Sequence, residues 1–90
     1  MNTILISYDL KKPGKDYQNL WDHLKSYGIW ARPLESVWLI KTSLSAEGVR
    51  NAALQHIDVN DKILMVDVTS KTSAWKNMTT EVSDWIKNNL

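Results

Sequence analysis

Asp9 is the carboxylate of this 90-residue chain best placed for chemistry, because it closes a strand-like run and is followed at once by Lys11, Lys12 and Gly14. An aspartate there can serve as an oxygen ligand for Mg²⁺ or a similar hard cation, which polarises a phosphate or activates a water. The plainer alternative is a carboxylate that caps the loop backbone or pairs with a lysine. One carboxylate is a poor cation site, whereas two brought together across a dimer axis make a credible one. Lys11, Lys12 and Lys15 are of the right type to meet phosphates, with Gly14 letting the backbone come close. The same residues equally suit a solvated loop.

Other chemistries find less support. Ser36 has a hydroxyl but no neighbouring base in the pattern, so a Ser-His-Asp hydrolase is not indicated. His23 falls at the flank of a helix whose core positions are Leu20, Trp21 and Leu24, and His56 falls near a helix C-terminus, where a partly charged imidazole is favourable. The two histidines lack the paired spacing of a zinc site. Cysteine is absent, which removes disulfides, thiol nucleophiles and thiolate metal sites. The glycines are Gly14, Gly28 and Gly48, too scattered for a nucleotide-binding loop. Trp75 and Trp85 could stack on bases, but core or interface packing is the simpler role for both.

The elements that must position Asp9 follow from periodicity. Thr3 to Asp9 is rich in β-branched and aromatic residues and reads as a strand. Tyr17, Leu20, Trp21, Leu24 and Tyr27 recur at helical spacing, with Gly28 closing the segment. Ile29 to Ser36 is a strand interrupted by Pro33, which predicts a sheet edge. Val37 to Lys41 is a strong strand. Ser45 caps a short helix carrying Val49, Ala52 and Ala53, with Glu47 in its first turn. Lys62 to Thr69 is a further strand. Val82, Trp85, Ile86 and Leu90 mark a final amphipathic helix whose pattern allows a start as early as Ser73.

This order predicts one α+β domain over residues 1–90: a ferredoxin-like βαββαβ core at 3–69 and a helical extension at 73–90. Right-handed crossovers give an antiparallel sheet in the order four, one, three, two. Asp9, Ser36 and the Asp61–Lys62 pair should then gather at one end of the sheet, with Asp67 towards the other. Both sheet faces are apolar, and the two crossover helices cover only one. The second needs either the C-terminal helix or a second copy; the expectation is a homodimer with that helix at its edge. Eleven Lys and Arg against ten Asp and Glu leave a net charge of +1, short of the basic excess that marks a dedicated nucleic-acid binder. No apolar run is long enough to span a membrane, and Ile4 to Ile6 passes directly into Ser7, Tyr8 and Asp9 without a signal-peptide pattern. A cytoplasmic location is expected.

A first strand ending Tyr8-Asp9-Leu10, a helix closing Tyr27-Gly28, a third strand opening Ser36-Val37-Trp38, and the turn Asp58-Val59-Asn60-Asp61-Lys62 leading into Ile63-Leu64-Met65-Val66 are similar to a known family. The chain resembles the small CRISPR-associated proteins of spacer acquisition and the VapD toxins related to them, over roughly residues 3 to 69. The resemblance implies a ferredoxin-like homodimer with its two sheets facing each other. It also implies that Asp9 approaches its symmetry mate and shares one Mg²⁺, and that Ser36 belongs to the same site. Relatives include metal-dependent endoribonucleases and DNases as well as non-catalytic scaffolds that help a partner enzyme hold DNA. The implied partners are therefore RNA or DNA, a second copy, or an unidentified protein. The CRISPR proteins commonly finish with a strand that joins the partner's sheet. This C-terminus reads as a helix, which describes a standalone relative.

Overall fold

The computed structural model of the chain describes residues 1–11 and 17–90. Its elements are β1 (Asn2–Asp9), α1 (Gln18–Lys25), β2 (Trp30–Leu34), β3 (Val37–Thr42), α2 (Ala46–Ala53), a 3-10 turn (Leu54–His56), β4 (Lys62–Asp67) and α3 (Thr80–Asn89). The four strands form one antiparallel sheet in the order β2-β3-β1-β4. This is the expected order read from the other edge, so the domain is α+β and ferredoxin-like. Among the described residues, no helix is long and apolar enough to cross a membrane.

Local chemistry accounts for the boundaries. Gly28 sits at φ +86 just beyond α1 and donates its N–H to the Lys25 carbonyl at 3.0 Å. A Cβ would disfavour that backbone, so the glycine lets the chain turn into β2. The Ser45 hydroxyl accepts the Gly48 N–H at 3.1 Å and starts α2, with Glu47 in the first turn. Pro33 lies on β2, an edge strand, beside a register shift between Ala31 and Leu34. The missing N–H of proline is tolerated there because it interrupts no central ladder.

The final helix starts later than its apolar pattern allows. Ser70 and Asn77 take φ of 59 and 62, a left-handed conformation that an α-helix cannot absorb. Thr79 then caps α3 by accepting the Val82 N–H at 3.1 Å. Residues 70–79 form an arch instead, held in part by the Trp75 indole N–H donating to the Ser83 hydroxyl at 3.0 Å.

The sheet's two faces are covered differently. Ile4 pairs with Ile40 and Ile6 with Trp38 across β1 and β3, and these four side chains meet Leu20 and Leu24 of α1 and Val49 and Ala53 of α2. All eight are fully buried, at about 1.5–3 kcal/mol for each large aliphatic side chain removed from water. The opposite face carries Leu5, Leu39, Leu64 and Val66. Its cover over β1 and β3 is the chain's own tail: Leu39 and Ile86 are buried, and the Thr3 hydroxyl donates to the Asn89 carbonyl at 2.7 Å. A cavity of about 240 Å³ remains between sheet and tail, bordered by Leu5, Leu39, Trp75, Met78 and Ile86. Beyond the tail, Leu64 and Val66 stay 59% and 41% exposed.

Candidate functional site

Asp9 ends β1 opposite Lys62, the first residue of β4. Side chains alternate along a strand, so Asp9 shares its face with Leu5 and Ser7, the face turned away from α1 and α2. It lines a shallow depression of about 210 Å³ with Ser7, Lys62 and Leu64, in the strip that the tail leaves open. The Asp9 carboxylate pairs with the Lys11 ammonium at 2.7 Å while remaining 60% exposed. An ion pair this wet is worth at most about 1 kcal/mol, so a stronger cation can displace the lysine.

The expected gathering at this end of the sheet is present. Ser36 lies in the two-residue turn between β2 and β3, and its carbonyl accepts the Tyr8 N–H at 3.1 Å. One oxygen of Asp61 accepts the Lys11 N–H at 2.7 Å and the Tyr17 hydroxyl at 2.9 Å, while the other accepts the Asp58 N–H at 2.7 Å. Asp61 thereby ties both flanks of the loop after β1 to the turn before β4. Asp67 pairs with Ile4, towards the opposite end as expected. Lys12 and Lys15, proposed phosphate contacts, lie outside the described residues. Lys11 is engaged with Asp9. No group of three or more His, Cys, Asp or Glu suited to a metal occurs among the described residues.

Two clusters escaped sequence reasoning. The first is centred on the Tyr8 hydroxyl, on the helix-covered face beside Asp9. It accepts the indole N–H groups of Trp21 at 3.1 Å and Trp38 at 3.0 Å and the Arg32 guanidinium at 3.3 Å, and donates to the Glu35 carbonyl at 3.1 Å. Arg32 also bonds the Glu35 carbonyl through Nε at 2.9 Å and Nη2 at 2.6 Å. Its guanidinium lies 4.9 Å from the Trp21 ring and 5.1 Å from the Trp38 ring. The signal was available: the predicted strand order puts Tyr8 beside Trp38, and alternation puts both on one face.

The second cluster stacks His23 of α1 on His56 of the 3-10 turn at 4.7 Å, with Tyr27 edge-on to His23 at 5.4 Å. Burial, and secondarily the neighbouring His56, lowers the His23 pKa, and His23 Nε2 is buried without a hydrogen-bond partner among the described residues. Sequence spacing places them apart, His23 at the flank of one helix and His56 near the C-terminus of another. Their meeting follows from α1 and α2 covering the same sheet face.

No protein-family model matches this sequence, and no solved structure matches it.

Proposed function

We propose that the chain works as a homodimeric, metal-dependent nuclease that hydrolyses phosphodiester bonds of RNA or DNA, with Asp9 as the metal carboxylate. The observation that carries this reading is the position of Asp9: exposed, at a strand end, beside Leu64 on a strip of the second sheet face that the tail leaves uncovered among the described residues. Leu64 and Val66 make that strip apolar enough to drive association. A twofold axis through it would bring two Asp9 carboxylates together.

Mg²⁺, when bound, supplies Lewis-acid polarisation of the phosphate and a more acidic water. The two Asp9 side chains would orient it, after each gives up its contact with Lys11. Lys11 is then released to meet a phosphate oxygen, together with Lys12 and Lys15 from the loop. Ser36 offers an exposed hydroxyl at the same end of the sheet for a further hydrogen bond to the phosphate. In hydrolysis, water oxygen forms a new P–O bond as the bond to the leaving ribose oxygen breaks in line.

Asp9→Asn is the test. It is expected to abolish Mg²⁺-dependent cleavage of RNA or DNA while sedimentation still reports a dimer. Cleavage undiminished in the variant would sink the assignment. The Asp9–Lys11 pair supports a second reading, a non-catalytic dimeric scaffold that binds nucleic acid or a protein partner. That reading predicts no cleavage at any divalent concentration and reproducible partner capture by the parent protein.

A further inference from the structure

Arg32 is, among the described residues, a cation without a carboxylate partner. Among the described residues no acidic side chain forms an ion pair with it, and Glu81, which borders the same groove along β2, does not do so. The guanidinium is nevertheless held fast, by the Glu35 carbonyl, the Tyr8 hydroxyl and two indole faces. Arginines fixed in this way lose little further freedom when they bind a ligand.

Donors outnumber protein acceptors around it. Two indoles, a phenol and a guanidinium all donate, while the acceptors are the phenol oxygen and a single backbone carbonyl. A phenol oxygen accepts well from two donors, yet three converge here, the guanidinium contact being the longest at 3.3 Å. Both N–H groups of Arg32 Nη1 have no acceptor among the described residues. No donor of the cluster is buried without a partner among the described residues, so the free Nη1 face of the guanidinium is open to solvent, where an oxyanion can meet it.

We propose that Arg32, braced by Tyr8, Trp21 and Trp38, forms a binding site for a nucleic-acid phosphodiester at the end of the sheet that carries Asp9. The identity of the occupant rests on the nuclease reading; the oxyanion site itself stands on the donor excess. The cluster lies on the helix-covered face, opposite the face that carries Asp9, so it is a phosphate contact separate from Lys11.

The experiment uses the Asp9→Asn protein without divalent metal, so failure of cleavage chemistry cannot affect it. Inorganic phosphate is titrated at constant ionic strength while NMR follows the Arg32 Nε–H and the Trp21 and Trp38 indole N–H resonances. Saturable shifts of these signals are expected, with a dissociation constant on the order of millimolar. Arg32→Lys keeps the charge but loses the planar fork, and should weaken binding roughly tenfold. Arg32→Gln should abolish it, circular dichroism reporting whether each variant is folded. The dinucleotide UpU, whose one anion is an internal diester, should produce the same shifts. Absence of saturable shifts in the parent, or equal binding by a folded Arg32→Gln, overturns the site. Shifts with phosphate but none with UpU overturn the diester as its occupant.

Discussion

The two faces of the sheet are built from similar residues and end in different states. On one, Ile4, Ile6, Trp38 and Ile40 meet two regular helices and are sealed. On the other, α3 packs against β2 and an arch of irregular backbone reaches over β3 and β1, while Leu64 and Val66 remain open to water. Helices present continuous apolar stripes that interdigitate with a sheet, whereas the arch, with left-handed Ser70 and Asn77, spans its part of the face and leaves a partly open cavity. The sealed face supplies stability. The incompletely covered face is where Asp9 projects and where the proposed second copy would dock.

The comparison can be broken most forcefully at Trp38. Trp38→Ala removes a fully buried ring, one of the indole donors to Tyr8 and one of the surfaces beneath Arg32. A loss of about 3–5 kcal/mol in urea unfolding is expected. Ile86→Ala, the counterpart on the tail-covered face, should cost only about 2 kcal/mol, because that site already adjoins a void. It should also raise hydrogen exchange at the Thr3 amide, which donates to the Thr69 hydroxyl beneath the tail. Equal costs at the two positions would dissolve the contrast.

Leu64→Lys sharpens it from the other side. An exposed position should change the stability of the protomer by less than about 0.5 kcal/mol. Sedimentation equilibrium should nevertheless report a shift from dimer to monomer, with loss of any Asp9-dependent cleavage. A dimer unaffected by this charge would move the interface away from the strip.

The smallest effect belongs to the histidine pair. Because burial and His56 lower the His23 pKa below 6.5 in the fold, the unfolded chain binds more protons on acidification. His23 therefore contributes no penalty above about pH 6.5, and stability falls as pH drops from there through its lowered native value. His56→Ala removes the lesser of the two causes and should make that fall shallower, as read from unfolding midpoints across pH.

Much of this architecture was legible in residue order. The strand alternation of Ile4, Ile6 and Tyr8, the cap at Ser45, the glycine after α1 and the proline on the edge strand are local signals, and each predicted its element. Handedness of crossovers then set the strand order and gathered Asp9, Ser36 and Asp61 at one end. The late start of α3 was not legible, since the apolar positions permit an earlier one and only left-handed Asn77 forbids it.

By itself, then, the sequence determined the periodicities, the breaks between them and, through chirality, the strand order, because these depend on neighbours along the chain and on general backbone sterics. The tertiary structure alone decided that Lys11 is paired with Asp9, that three donors converge on the Tyr8 hydroxyl, that Arg32 has no carboxylate partner among the described residues, and that the tail stops short of Leu64 and Val66. Those outcomes depend on distances of a few ångströms between side chains remote in sequence, which no spacing along the chain can fix.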